Sequence, residues 1–501
     1  MDRRAGILMP IFSLPGKYGI GCFSREACDF ANFLKDAGQR YWQILPLGPT
    51  GYGDSPYQSF STFAGNPYFI SLETLIEDGL LTQEECGVLD GCSQESEPDR
   101  LIDYGLLYEK RIALLKKAFG RSDFRESPDY PAFCERNSYW LDDYCLFMAI
   151  KDAHGGLPVD AWEADIAAHE CGAVESWRSR LQLETDFYRF TQFEFDRQWK
   201  KLRAYVNSLG IEIIGDIPIY VSADSADFWA HRELFMLDER GRIRLVAGVP
   251  PDGFSADGQL WGNPLYDWAY HEKTGYEWWK RRIGKCLELY DIIRIDHFRG
   301  FDEFFAVPAT DTSAANGHWE TGPGMKLFTA LGATYQNLQI IAEDLGYVTD
   351  TVRQLVKDTG FPNMKVLEFA FDSRDSTGAA EYLPYVYNHN CVVYTGTHDN
   401  ETVRGWIENI LPEELTQVKA YLGVVTDDPQ EIVDKMIRLG LGSVADLCVI
   451  PLQDYLGLGN EARINHPSTF GTNWKWRFKP EEFSVQLKER ILGLTMLYGR
   501  G

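Results

Sequence analysis

The sequence predicts an α/β protein in which eight parallel strands close into a (β/α)8 barrel. Eight short apolar runs, rich in strand-forming residues, are spread along the 501 residues. The runs are almost continuously apolar rather than alternating, which is typical of strands buried on both faces. Helical patterns fill the stretches between them. Eight such β/α units favour a closed barrel, and an open doubly wound sheet is the alternative architecture.

The predicted strands and helices follow one another along the chain. Residues 24–37 illustrate a predicted helix, with Ser24 in the N-cap position and Gly38 after its last turn. The eight predicted strands are Gly6–Phe12, Tyr41–Leu47, Ile211–Tyr220, Ile292–Asp296, Gln339–Ala342, Met364–Phe371, Cys391–Thr397 and Leu447–Leu452.

Two connections are too long for a single helix and its loops. Residues 70–205, between the second and third strands, contain several helical patterns and are predicted to form a helical insertion subdomain. Residues 221–284 are rich in Gly, Pro and aromatic residues, and we expect a folded loop that covers the cleft as a lid. The chain ends soon after the eighth unit, so residues 1–501 are predicted to be one barrel domain without a C-terminal β-sandwich.

Composition restricts the possible partners and compartment. The chain has 49 Lys and Arg against 74 Asp and Glu, and a net charge of −25 would repel nucleic acids and anionic membranes. No stretch of about 18 apolar residues predicts a membrane span. The ten cysteines show no CxxC spacing, and the N-terminus lacks a secretory apolar segment. We therefore expect a cytoplasmic protein with free thiols that acts on a neutral substrate.

Acidic residues close four of the predicted strands. Asp216, Asp296, Glu343 and Asp399 each stand at the carboxyl end of a different strand. Barrel active sites lie at that end, so these side chains should meet at one opening. A single acid in such a place is usually a helix cap or a solvated loop residue. Four acids together, with Arg294 nearby, are harder to explain in that way.

This arrangement suits chemistry at a glycosidic bond. A retaining mechanism needs a nucleophilic carboxylate and a carboxylic acid about 5 to 5.5 Å apart, and neighbouring strands lie about 4.8 Å apart. Arg294 should lower the pKa of Asp296, and neighbouring carboxylates should raise that of Glu343. Asp399 would bind the hydroxyls of the sugar from its other side. His297 and His398 would either donate hydrogen bonds to those hydroxyls or be satisfied core residues.

Neither a catalytic metal nor an organic cofactor is expected. None of the nine histidines belongs to an HxH or HExxH pair. No GxGxxG or GxxxxGK motif occurs in a strand-turn-helix context. The candidate chemistry therefore rests on side chains alone.

The motifs along nearly the whole chain resemble those of glycoside hydrolase family 77, the amylomaltase or 4-α-glucanotransferase family of the α-amylase superfamily. Their order and combination are specific, whereas the motifs around Asp296 and Asp399 alone would indicate only the superfamily. The matching segments are residues 14–21 (LPGKYGIG), 54–59 (DSPYQS), 215–218 (GDIP), 250–252 (PPD), 262–266 (GNPLY), 294–300 (RIDHFRG), 342–346 (AEDLG) and 398–400 (HDN).

The resemblance implies roles for individual residues. It implies Asp296 as the nucleophile, Glu343 as the acid/base and Asp399 as the transition-state stabiliser. It also implies that α-1,4-glucans and glucose are the substrates and acceptors, with no cofactor. The remaining substrate-binding positions, carried over from shorter matches, are Asp216, Arg294 and His398 around the sugar at the cleavage point, Tyr57 beneath it, Gln259 and Trp261 on the acceptor side, Phe254 on the lid, and Phe369 and Asn465 on the donor side.

Two alternatives stay open at the level of sequence. An α-amylase-like hydrolase would use the same acids and release new reducing ends from starch. A non-catalytic glucan-binding barrel would use the same aromatic residues but would not need an acid at Glu343. We predict transfer over hydrolysis, because an aromatic lid with Phe254 and Trp261 would hold a sugar acceptor and exclude water.

Overall fold

A computed structural model describes residues 3–51, 53–89, 101–251, 257–346, 348–374 and 378–501. The strands in these ranges are β1 (Arg4–Leu8), β2 (Tyr41–Gln43), β3 (Glu212–Pro218), β4 (Leu245–Val249), β5 (Gln259–Pro264), β6 (Ile292–Asp296), β7 (Glu303–Pro308), β8 (His318–Thr321), β9 (Ile340–Ala342), β10 (Asn363–Val366), β11 (Cys391–Tyr394) and β12 (Leu447–Pro451).

Eight of these strands form a closed barrel in the order β1-β2-β3-β6-β9-β10-β11-β12. Every neighbouring pair is parallel. The predicted (β/α)8 barrel is therefore confirmed, and each barrel strand lies at one of the eight predicted runs. The open-sheet alternative is wrong.

The ends of the strands differ from the prediction. The predicted run Met364–Phe371 is divided: β10 ends at Val366, and a 3-10 helix, Leu367–Phe371, follows. Leu367 and Phe371 are still buried there. An apolar run reports burial rather than hydrogen bonding between strands, so it extends past the point where pairing stops.

The α-helices surround the barrel and fill its long connections. They are α1 (Arg25–Asp36), α2 (Leu72–Glu77), α3 (Gln83–Cys86), α4 (Tyr104–Leu106), α5 (Ile112–Phe119), α6 (Tyr130–Asn137), α7 (Leu141–Ala153), α8 (Ala164–Ala167), α9 (Cys171–Arg180), α10 (Gln182–Ser208), α11 (Ala226–Ala230), α12 (Trp268–Lys273), α13 (Glu277–Leu289), α14 (Met325–Thr334), α15 (Asp350–Thr359), α16 (Val403–Asn409), α17 (Pro412–Leu422), α18 (Pro429–Gly442), α19 (Leu452–Leu456) and α20 (Val485–Leu497).

Two large apolar clusters build the core of the barrel and its helices, and a small third cluster consists of Val246, Phe305, Val307 and Ala314. Inside the barrel, Ile214, Ile292, Ile341 and other inward side chains pack together. A larger cluster joins the outer faces of the strands to the helices. Gly215 belongs to this outer contact, because a Cβ there would lie 2.1 Å from the ring of Tyr290. The close approach of that ring fixes β3 at the position before Asp216.

Nine of the helices, α2 to α10, lie between β2 and β3. The 27-residue α10 is the axis of this segment, and its buried apolar residues belong to the same cluster as those of the barrel helices. Trp199 on α10 donates a hydrogen bond from Nε1 to the carbonyl of Leu289 at 3.1 Å. The Gln192 amide donates to the carbonyl of Gly65 at 2.8 Å and accepts from its N–H at 2.7 Å. These bonds attach the segment to the barrel.

Residues 221–284 contain regular structure as well as loops. Their strands β4 and β5 join β7 and β8 in a four-stranded antiparallel sheet of order β5-β4-β7-β8. The sequence analysis did not anticipate this sheet, because its strands are short and surrounded by Gly and Pro. None of the helices in the described ranges is long and apolar enough to span a bilayer.

Candidate active site

An ion pair between β3 and β6 forms the floor of the site. The register places Asp216 opposite Arg294. The Nη1 atom of Arg294 donates to both carboxylate oxygens of Asp216, at 2.8 and 2.6 Å. Asp216 is fully buried and Arg294 is 2% exposed. Because solvent is excluded, the pair holds both side chains in fixed positions at the carboxyl end of the barrel.

Asp296 ends β6 and lies above this pair. Arg294 Nη1 also donates to Asp296 Oδ1 at 3.1 Å. The expected fall in the pKa of Asp296 is wrong: enclosure by the protein raises the pKa to about 6, although Arg294 acts in the opposite direction. Arg294 is shared with Asp216, whose own negative charge adds to the rise. A pKa of about 6 still leaves Asp296 ionised at neutral pH.

Glu343 follows β9 directly, on the strand beside β6. Ile295 and Ala342, the residues before Asp296 and Glu343, are paired across the two strands. The backbone N–H groups of His297 and Leu345 donate to the Glu343 carboxyl at 2.6 and 2.7 Å. Burial, and then the charge of Asp296, raise the pKa of Glu343 to about 8. The direction expected from the sequence is therefore confirmed, with burial as the larger cause.

Asp399 lies beyond the end of β11. Its Oδ1 accepts from the Asn465 amide at 2.6 Å, and its Oδ2 is 3.2 Å from His398 Nε2. The protein around it favours the neutral acid, but these two contacts outweigh that effect, so the pKa of Asp399 is lowered. Arg463 donates to the backbone carbonyl of Asp399 at 2.7 Å. Asp399 is thus held as a carboxylate, with 43% of its side chain exposed.

Tyr57 lies on the same side of the opening. Its hydroxyl donates to Asp216 at 2.9 Å. Its ring stacks on the imidazole of His398, with centroids 5.2 Å apart and planes 12° from parallel. Trp474 packs against both rings, at 5.8 and 6.0 Å. Trp474 was not among the site residues predicted from the sequence. The only signal that could have indicated it is its closeness to Asn465 along the chain.

A cleft of about 560 Å³ brings most of the predicted residues together. Gln259 and Trp261 of β5 line one wall, and the Gln259 amide oxygen accepts from Trp261 Nε1 at 3.1 Å. His297 packs at a right angle to Trp261, 4.8 Å away, and its backbone is left-handed with a φ of 53°. Burial lowers the pKa of His297 to about 3, which keeps the imidazole neutral. Asp296, Asp399, Tyr57 and Asn465 also line this cleft.

Phe369 lines a second cavity of about 490 Å³, which shares Asp399 with the cleft. Glu368 and Arg463 lie in the same wall, and neither was predicted from the sequence. Glu368 is 5% exposed, and burial raises its pKa well above the ordinary value. Glu368 falls inside a strand predicted from the sequence, so nothing indicated that it would line a cavity. Phe254 lies outside the described residues.

In the part of the chain that the structure describes, no group of three or more His, Cys, Asp or Glu side chains is placed to hold a metal ion. Asp296 and Asp399, which line the cleft, are bonded to Arg294 and Asn465. Glu343 does not line the cleft and accepts hydrogen bonds from backbone N–H groups. Asp296 and Glu343 stand at the ends of neighbouring strands, and the pKa of Glu343 is the higher of the two. Acid/base chemistry on glycosides uses a carboxyl pair of this kind.

Comparison with known proteins also indicates an enzyme that acts on glycosidic bonds. The sequence profile of glycoside hydrolase family 77, described as 4-alpha-glucanotransferase, matches residues 9–483. The 4-alpha-glucanotransferase of Clostridium butyricum is 46% identical over 495 residues, covering 98% of this chain and 100% of that protein. The Thermus thermophilus enzyme of the same name is 47% identical over 504 residues, covering 99% and 98%.

A solved structure agrees over the full length. The amylomaltase from Streptococcus agalactiae, in complex with acarbose, superposes with a TM-score of 0.94 at 39% identity and covers 100% of both chains. The protein is therefore an enzyme of the transferase class that acts on α-glucans. It belongs to glycoside hydrolase family 77, the 4-α-glucanotransferase family.

Proposed function

We propose that the enzyme transfers a segment of a 1,4-α-D-glucan to the 4-hydroxyl of an acceptor glucan or glucose by a retaining double displacement. Asp296 is the nucleophile, Glu343 the acid/base and Asp399 the stabiliser. One observation carries this assignment. The carboxyl groups of Asp296 and Glu343 follow residues that are paired across β6 and β9, and their surroundings differ. Asp296 accepts a hydrogen bond from Arg294, which favours its ionised form, whereas burial and the charge of Asp296 raise the pKa of Glu343 further, to about 8.

In the first half-reaction, Asp296 attacks the anomeric carbon of the donor and a covalent glycosyl-enzyme forms. The bond to the glycosidic oxygen breaks, and that oxygen takes the proton of Glu343. The N–H groups of His297 and Leu345 orient the Glu343 carboxyl for this transfer. Arg294 bonds to Asp296 and keeps the nucleophile in place until it reacts.

In the second half-reaction, the ionised Glu343 removes the proton of an acceptor hydroxyl. That oxygen attacks the anomeric carbon, and the bond to Asp296 breaks. Asp399, held by Asn465 and His398, binds the sugar hydroxyls more tightly as the ring flattens towards an oxocarbenium ion. Two displacements at the same carbon retain its configuration.

Transfer rather than hydrolysis depends on an acceptor reaching the intermediate before water does. Gln259, Leu260 and Trp261 line the cleft together on one strand and offer a bounded wall on which an acceptor sugar could lie. Phe254, which the resemblance places on the lid, would add to this wall. The α-amylase-like hydrolase remains the alternative.

The experiment is incubation with maltotriose, followed by separation of the products by size. Transfer yields glucose together with longer oligosaccharides, whereas hydrolysis yields only shorter sugars. The Asp296→Asn variant should form neither product. If the parent forms no product and the Glu343→Gln variant binds glucan as the parent does, the protein is a non-catalytic glucan-binding barrel.

We also assign the enzyme to the cytoplasm and to the metabolism of starch, glycogen or maltodextrin. The nine cysteines in the described ranges are all free thiols, which supports a reducing compartment. Cell fractionation with an antibody against the chain tests this assignment. We further propose that residues 70–205 form a helical subdomain and that residues 221–284 form a lid over the cleft.

A further inference from the structure

Asp399 differs from the other two proposed catalytic acids in the way its backbone is held. Asp296 is the last residue of β6, and Glu343 follows directly after β9. Asp399 lies in the loop beyond Tyr394, where β11 ends. Pairing between strands therefore does not fix its backbone. A group that binds a transition state must stay within about 0.5 Å of its working position, so contacts outside the sheet have to hold this loop.

Hydrogen bonds inside the loop give it a shape but do not attach it to other parts of the chain. The Oδ1 atom of Asn400 accepts from the backbone N–H and the hydroxyl of Thr397, at 2.9 and 2.8 Å. The Asp399 N–H donates to the Thr397 hydroxyl at 3.3 Å. These three bonds join near neighbours in the chain, so the position of Asp399 over the barrel depends on contacts with more distant residues.

Arg463, from the segment after β12, makes such a contact. Its Nη2 atom donates to the backbone carbonyl of Asp399 at 2.7 Å, and its Nε atom donates to that of Asn465 at 2.7 Å. The two nitrogens lie on one edge of the planar guanidinium, so they hold the two carbonyls at a fixed separation. Hydrogen bonds from a charged donor are also stronger than those from a neutral one.

The separation of these two carbonyls matters for the carboxylate of Asp399. Asn465 donates its side-chain amide to Asp399 Oδ1 at 2.6 Å and its backbone N–H to the carbonyl of His398 at 3.1 Å. Arg463 thus braces both members of the pair formed by the Asn465 amide and the Asp399 carboxylate. Without the guanidinium, the two side chains could stay paired and shift together.

The surroundings of Arg463 indicate that the protein, rather than the substrate, occupies its donors. Arg463 does not line the cleft that contains Asp296 and Asp399. It lies in the wall of the neighbouring cavity, with 19% of its side chain exposed. Two of its nitrogens donate to backbone carbonyls, and the third, Nη1, is 4.0 Å from Glu401.

We propose that Arg463 is a positioning residue that sets the carboxylate of Asp399 for stabilisation of the transition state. This inference rests on the role proposed above for Asp399. That carboxylate binds the sugar most tightly when the ring flattens, so a shift in its position weakens binding of the transition state more than binding of the substrate. A misplacement of about 1 Å can cost about 10²-fold in rate.

Steady-state kinetics of the Arg463→Met variant with maltotriose test the proposal. We expect kcat to fall about 10²-fold while KM stays within about twofold, because other residues bind the substrate. Arg463→Lys keeps the charge, but one ammonium group cannot replace the planar fork, so it should recover only part of the rate.

Arg490→Met is the matched control. Arg490 also donates to a backbone carbonyl, that of Tyr455 at 2.6 Å, but lines neither the cleft nor the neighbouring cavity. Its loss should leave kcat equal to that of the parent. An equal fall of kcat in the Arg463 and Arg490 variants would overturn the proposal, because any lost brace would then have the same effect.

A double-mutant cycle with Asp399→Asn separates positioning from a general structural role. The activity of all four proteins is measured as fluoride release from maltosyl fluoride, a donor with a good leaving group. If Arg463 acts through Asp399, Arg463→Met should cause little further loss in the Asp399→Asn background. Equal losses in the two backgrounds, or a rise in KM as large as the fall in kcat, would overturn the proposal.

The cycle stays informative if Arg463→Met does not fold, since Arg463→Lys then takes its place and the same comparison decides. The outcomes also separate this inference from the proposed function. A parent that forms no transfer products contradicts the proposed function. A parent that transfers glucan segments, beside an Arg463→Met variant with the same kcat, contradicts only the role of Arg463.

Discussion

Arg294 binds both carboxylate oxygens of the fully buried Asp216 with a single nitrogen, at 2.8 and 2.6 Å. The same nitrogen reaches the proposed nucleophile, Asp296, at 3.1 Å. One guanidinium therefore fixes two carboxylates on neighbouring strands. The stability of the barrel and the geometry of the reaction depend on the same contact.

Arg294→Met should strongly destabilise the protein, because Asp216 would remain buried without its counter-ion. Breaking a buried pair in this way costs about 3–5 kcal/mol. We expect a lower midpoint in urea, followed by circular dichroism. The double variant Arg294→Met with Asp216→Asn is the control and should recover part of the loss. Equal midpoints for Arg294→Met and the parent would contradict a structural role for the pair.

The pH dependence of kcat/KM should be bell-shaped. Asp296 must be ionised to attack, so activity should rise as pH increases through about 6. Glu343 must be protonated for the first step, so activity should fall as pH increases through about 8. The two values belong to the pair, since each carboxyl senses the charge of the other. Initial rates with maltotriose between pH 4 and pH 10 measure the curve.

Replacement of each acid should affect the two half-reactions differently. A donor whose leaving group needs no proton, such as maltosyl fluoride, bypasses the acid role of Glu343. Glu343→Gln should therefore release fluoride in a burst with this donor while losing about 10²–10⁴-fold in rate on maltotriose. Asp296→Asn should fail with both donors, because no nucleophile remains. Equal fluoride release by the two variants would contradict the roles proposed for Glu343 and Asp296.

Trp261→Ala should shift the partition of the intermediate towards water. Trp261 lines the cleft beside His297, so its loss would remove apolar surface from the proposed acceptor side. We expect the ratio of hydrolysis to transfer to rise several-fold, measured from reducing ends and product lengths. Trp319→Ala is the control, since Trp319 lies on β8 of the same sheet but does not line the cleft. An unchanged ratio in Trp261→Ala would remove this residue from acceptor binding.

The barrel could be predicted from the sequence because buried parallel strands consist of nearly continuous runs of apolar residues. The acids that close those runs could also be located, since a strand end is visible where apolar residues give way to charged ones. Asp296 and Glu343 follow this pattern, whereas Asp216 lies inside β3, before Ile217 and Pro218, and Asp399 lies beyond the end of β11 at Tyr394. The residues that resemblance placed at the cleft, Tyr57, Gln259, Trp261 and Asn465, depend on short local motifs, and the structure brings them to the same cavity.

Contacts between distant parts of the chain escaped prediction. Trp474 and Arg463 reach the site from beyond β12, and Glu368 is enclosed by elements far apart in sequence. The four-stranded sheet pairs β4 with β7 across about 60 residues, and no local pattern encodes such a pairing. The rise in the pKa of Asp296 could not be predicted from the sequence either, because it follows from enclosure by other strands.

The barrel, its eight strands and the acids near their carboxyl ends can be located from the sequence, because burial and chain direction are local properties of each run. The charges that those acids carry depend on the folded structure. A pKa depends on every group within several ångströms, and strands remote in sequence supply those groups.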